Sequence, residues 1–149
     1  MLLMLLLAAC TASGNGELTI TNVQANLTLP TETGSVWLEI SNGTSEDEAL
    51  TGAVIDGCGV IELHDMVMED DVMMMQAVEG GQIPIPAGET VELKRGGLHM
   101  MCFDKTGSFA EGDEVGITLE FANAGAVEAT GVVVAPGGPG GMDMNHDDH

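Results

Sequence analysis

The stretch Val60-Ile61-Glu62-Leu63-His64-Asp65-Met66-Val67-Met68 reads as a β-strand. Successive side chains of a strand alternate between faces, so a period of two puts His64, Met66 and Met68 together on one side. Working outward, the same kind of short alternating or apolar run recurs at 17–22, 35–41, 49–55, 72–78, 90–94, 98–103, 114–121 and 126–134, with turn-forming residues between the runs. No segment carries a convincing helix of three turns. Val36-Trp37-Leu38-Glu39-Ile40 stops at the turn cluster Ser41-Asn42-Gly43, and Ile83-Pro84-Ile85-Pro86-Ala87-Gly88 holds two prolines that cannot donate to a central ladder. That segment is expected as a loop or an edge. Many short strands at this spacing predict an all-β domain, either a two-sheet sandwich or a small Greek-key barrel.

Composition narrows the function. The chain has 149 residues, with 24 Asp and Glu against 3 Lys and Arg, a formal charge of −21. Displacing counterions from a nucleic acid takes several cations, and Lys94, Arg95 and Lys105 form no basic stripe, so nucleic acid is excluded as a partner. An anionic membrane surface repels the chain for the same reason. With 44% apolar residues the sequence can still build a core, and its length suits one domain, expected over 17–135.

Residues 1–9 are an uncharged apolar run that is too short to span a bilayer and matches the apolar region of a signal peptide. Leu7-Ala8-Ala9-Cys10 resembles a bacterial lipoprotein cleavage box, which would make Cys10 the lipidated first residue and 10–16 a polar tether. No Lys or Arg precedes the run, which points to a start upstream of Met1. The expected location is the extracytoplasmic cell envelope, with contact to the membrane only through the lipid anchor. Export makes Cys58 and Cys102 an even pair in an oxidising compartment. Spacing alone leaves both a disulfide and two free thiols open.

The unusual feature is methionine: eleven residues, against no Tyr and a single Trp. Seven of them fall between residues 66 and 101, bracketed by two of the four histidines. The strand period places Met73 with Met75 and His99 with Met101, while Met100 and Cys102 face the other way. Three neighbouring strands would then bring imidazole and thioether groups to one point. Thioether sulfur is soft and uncharged and favours Cu(I), and imidazole binds copper in either oxidation state. The competing reading is packing, because methionine is an adaptable core filler. Met68, Met73, Met74 and Met100 are expected in the core or at its rim. A blue-copper carrier needs a Cys thiolate beside two histidines, and no histidine follows Cys102 within the next forty residues. A zinc site wants short repeated Cys and His spacing, which is absent. No placed base accompanies a Ser or Cys nucleophile, so no enzyme activity is expected.

The segments 60–75, 85–94 and Gly96-Gly97-Leu98-His99-Met100-Met101 together resemble the PCuAC family of periplasmic copper chaperones. That family carries the signature H-x10-M-x21-H-x-M. The resemblance implies an all-β, cupredoxin-like or immunoglobulin-like two-sheet sandwich with Greek-key connections, and Cu(I) held by His64, Met75, His99 and Met101. It also implies delivery of copper to an envelope recipient such as the CuA centre of cytochrome c oxidase or its assembly factors. Between Met75 and His99 this chain has 23 residues instead of 21, a difference assigned to the Gly80-Gly81-Gln82-Ile83-Pro84 loop, which leaves Met73 as the alternative to Met75. Past Pro136 the composition turns to Pro and Gly, then to Met142, Met144, His146 and His149 interleaved with Asp143, Asp147 and Asp148. Family members carry comparable tails. Carboxylate with imidazole suits Cu(II), so the tail 136–149 is a second candidate site. The alternative function is an extracytoplasmic β-sandwich used for adhesion or assembly, without a metal.

Overall fold

A computed structural model describes residues 16–137 of the chain. The expected signal segment, Cys10 and the tail residues Met142, Met144, His146 and His149 lie outside the described residues. Ten strands follow one another: β1 (Leu18–Asn26), β2 (Gly34–Asn42), β3 (Glu48–Ile55), β4 (Val60–Glu69), β5 (Val72–Ala77), β6 (Ile83–Ile85), β7 (Thr90–Leu93), β8 (His99–Phe103), β9 (Glu114–Phe121) and β10 (Gly125–Val133). Among the described residues the one helical element is a single turn at Glu79–Gly81. The ladder runs β5-β4-β8-β2-β1-β10-β9-β3-β6, with β7 beside β2. It folds into a β-sandwich. Strand β1 joins the two halves, antiparallel to β2 and, at Gln24 and Ala25, parallel to β10.

The core is written at a period of two. Val36, Leu38 and Ile40 of β2, Leu50 and Ile55 of β3, Met100 and Cys102 of β8, and Ile117, Leu119 and Phe121 of β9 are all buried. Each fully buried aliphatic side chain of this kind contributes roughly 1.5–3 kcal/mol through removal of apolar surface from water. Their neighbours in sequence face outward, which leaves the outer surface of β4, β8 and β2 free for other chemistry.

One element departs from the sequence reading. Strand β1 was expected at 17–22 and continues to Asn26, because its register shifts between Thr21 and Gln24, where Asn22 takes a φ of 52°. A bulge of this kind changes the phase of the alternation. Leu18 and Ile20 pack inward before it, Ala25 and Leu27 after it. The two-proline segment takes the edge alternative expected for it: Ile83–Ile85 is a short strand on β3, at the edge of the ladder, with Ile83 and Ile85 buried and Pro84 exposed.

Cys58 and Cys102 are bridged, with Cα atoms 5.6 Å apart. Gly57 makes this approach possible. Its φ of 83° suits glycine, and a Cβ there would collide with the Phe109 ring. The bond ties the loop after β3 to the strand that carries His99 and Met101.

Candidate metal centre

The site begins with a tight turn. Strands β4 and β5 are joined by Asp70 and Asp71, both at positive φ (49° and 63°). A two-residue hairpin with that backbone matches the right-handed twist of its strands, and Asp tolerates the conformation better than most residues. The turn sets the pairs Met68 with Met73, Met66 with Met75 and His64 with Ala77. On its other side β4 pairs with β8, opposing His64 to His99 and Glu62 to Met101. Strand β2 then adds Ser35 opposite Met101, and β1 adds Asn26 opposite Ser35.

Residues paired across a sheet share a face, so one outer surface carries a row Asn26, Ser35, Met101, Glu62, a row His99, His64, Ala77, and then the pairs Met66 with Met75 and Met68 with Met73. All four expected ligands stand on it. His64 and His99 lie edge to face with centroids 5.8 Å apart, and each is more than nine-tenths buried although it points away from the core. The Phe103 ring, 6.0 Å from that of His64, closes one flank. Nε2 of His99 is 3.2 Å from Sδ of Met75. Met101 shares the face, and its Sδ accepts a hydrogen bond from Ser35 Oγ at 3.8 Å. Met73 instead stands opposite Met68.

Hydrogen bonding assigns the ring nitrogens. Nδ1 of His99 is 2.8 Å from the carbonyl oxygen of Gly97, which can only accept, so Nδ1 carries the proton and Nε2 of the neutral ring is bare. A thioether has no proton to give. With the ring neutral, the 3.2 Å contact sets one lone pair against another, the arrangement that a shared metal ion would relieve. His64 is held by its own strand: Nε2 donates to Oε2 of Glu62 at 2.8 Å, and Nδ1 is buried with no partner. Two other buried atoms among the described residues share that condition, Asn26 Oδ1 and Thr28 Oγ1. Among the described residues no three His, Cys, Asp or Glu side chains cluster where they could hold a metal ion.

Sequence reasoning did not single out Glu62, Ser35 or the Gly97 carbonyl. Glu62 was accessible to it, since it sits two residues before His64 and so on the same face. Of the methionines assigned to core or rim, Met100 is fully buried, whereas Met68, Met73 and Met74 are exposed at 64%, 47% and 47%. Beside the site, Arg95 lies over the Trp37 ring at 4.5 Å, one of the few aromatic surfaces the chain has.

The β-sandwich has the cupredoxin-like fold of PCuAC domains. The apo PCuAC domain from PmoF1 superposes with a TM-score of 0.67 at 18% identity, over 81% of this chain and 96% of that one. The copper-bound PCuAC domain from PmoF2 gives 0.67 at 20%, over 81% and 95%. The CuI form of DR1885 from Deinococcus radiodurans gives 0.60 at 22%, over 84% and 85%. At these identities the likeness is one of fold. The family model described as "Putative lipoprotein LpqE-like" matches residues 18–134, and the chain belongs to the LpqE-like family. A protein of Leifsonia xyli subsp. xyli (strain CTCB07), described as "Putative lipoprotein Lxx21020", is 28% identical over 85 residues, 57% of this chain and 51% of that protein. The chain thus spans about half the length of this curated relative.

Proposed function

We propose that this protein is an extracytoplasmic copper chaperone, anchored through a lipidated Cys10, that holds Cu(I) between His64, Met75, His99 and Met101 and passes it to an envelope recipient such as cytochrome c oxidase. The observation that carries the reading is the bare Nε2 of His99 set 3.2 Å from the Met75 sulfur beside a second buried imidazole. Imidazole with thioether is a soft, neutral donor set, and it suits the reduced ion. Glu62 and the Gly97 carbonyl fix the two rings, as outer partners of metal-bound histidines do. Release proceeds by ligand exchange and needs no substrate turnover. The folds of a copper-bound PCuAC domain and of a CuI-loaded DR1885 support the same conclusion. Met142, Met144, His146 and His149 form a Cu(II)-capturing arm in this reading, and truncation after Pro136 should lower copper stoichiometry or Cu(II) uptake.

The decisive experiment is a Cu(I) competition titration of the full chain, wild type against His99→Ala and Met101→Leu. One tightly bound ion, weakened in both variants, is the expected result. A folded wild-type chain that binds no ion would return the methionines to packing and favour an adhesion or assembly module.

A further inference from the structure

The outer face does not end at the histidines. Beyond them the β4–β5 hairpin carries two successive cross-strand methionine pairs, Met66 with Met75 and then Met68 with Met73, on the same side as His64 and His99. Directly opposed residues of an antiparallel pair have Cβ atoms about 4.5–5.5 Å apart, within reach of two flexible thioethers meeting at one ion. Packing does not account for the outer pair. Met68 is 64% exposed and Met73 47% exposed, so neither fills the core. Strand β5 is also the end of the ladder and exposed throughout, a place where apolar side chains invite aggregation and a charged residue is the ordinary choice. The adjoining turn is acidic, with Glu69, Asp70 and Asp71 all exposed. Such a cluster raises the local concentration of a cation without binding it tightly.

We propose that Met68 and Met73 form a second, outer site for a soft monovalent cation of the Cu(I) or Ag(I) class, and that the Met66 and Met75 pair links it to the histidines as a track of thioethers. The inner end of this track rests on the function proposed above; the outer site stands on the methionine pair itself. In each step a metal–sulfur bond to one pair breaks as a bond to the next forms. The ion stays monovalent and no proton moves.

The test is a titration of the full chain, labelled with 13C at the methionine methyls, with Ag(I) nitrate in chloride-free buffer. Resonances are assigned by single Met→Leu substitutions, which are close to volume-conserving. The first equivalent should move the methyls of Met75 and Met101 and the second those of Met68 and Met73. The double variant Met68→Leu/Met73→Leu should lose the second equivalent and keep the first at unchanged affinity. Stationary Met68 and Met73 methyls through two equivalents, or a second equivalent that moves Met142 and Met144 instead, would overturn the outer site. Shifts at Met68 and Met73 with none at Met75 or Met101 would keep the outer site and overturn the function proposed for the inner one.

Discussion

Two groups of buried polar side chains sit in this sandwich, and they are finished differently. Asn42, at the end of β2, uses all of its capacity: Nδ2 donates to the carbonyls of Glu46 and Ile85, and Oδ1 accepts from the amide and hydroxyl of Thr44. Glu48, at the start of β3, accepts from the amides of Ala49, Asn123 and Ala124 at 2.8–2.9 Å. Burial pushes its carboxyl upward, but these amides, with a smaller contribution from that of Ala122, outweigh burial and hold it below the ordinary 4.5. The histidine face is left open, with Nδ1 of His64 unpartnered and Nε2 of His99 set against a sulfur. A saturated network fixes strands and turns in place. An unsaturated one keeps donor capacity for something that arrives later, at a cost of about 1–3 kcal/mol for each buried group left waiting.

Breaking either group should separate these roles. The largest effect is expected at His99→Ala: Cu(I) affinity should fall by more than the roughly 10–100-fold typical of losing an orienting neighbour, read by competition titration. Asn42→Ala should do the reverse. It leaves the buried Ile85 carbonyl without its side-chain donor and should cost about 2–3 kcal/mol in denaturant unfolding with copper affinity unchanged. Glu62→Gln removes the carboxylate that orients His64 and should weaken copper binding about tenfold while barely moving the unfolding midpoint. The smallest effect belongs to Glu48→Gln, about 1 kcal/mol at neutral pH. Its pH dependence has a definite sign. The folded carboxyl titrates below the unfolded one, so its stabilisation is present above the ordinary carboxyl value of 4.5 and is lost as pH falls through the folded value. The difference between wild type and Glu48→Gln should therefore shrink on acidification, and a gap that widened below that value would contradict the hydrogen-bond assignment.

The histidine face was legible because it follows local rules. Alternation along β4 and β8 sorted His64, His99 and Met101 from Leu63, Met100 and Cys102, and the structure keeps that sorting. The strand adjacency β5-β4-β8 that brings them together matches the expectation of three neighbouring strands. The saturated network was invisible beforehand, since its contacts link Glu48 to Asn123 and Asn42 to Ile85, distant in sequence and decided by turns that composition does not rank. The same limit applies to Ser35 and Met101, 66 residues apart. Strand β1 was read short because its bulge inverts the pattern that local reading depends on. The cysteine bridge was open for a related reason: only the assembled sheet decides whether two Cα atoms come within bonding range.

Along β8 the letters of core and site are interleaved, with His99, Met101 and Phe103 facing out and Met100 and Cys102 facing in. An insertion of one residue between His99 and Met101 would reverse the facing of one flank of the strand relative to the other, so that these two residues could no longer share the outer face. The loop after β5 has no such parity. Gly80 and Gly81 turn in open space at φ of 73° and 68°, so residues added there change only the length of a connection. The strand therefore admits almost no change in length, while the loop accumulates it. Divergent relatives should accordingly vary in the span between Met75 and His99 and agree in the single residue that separates His99 from Met101.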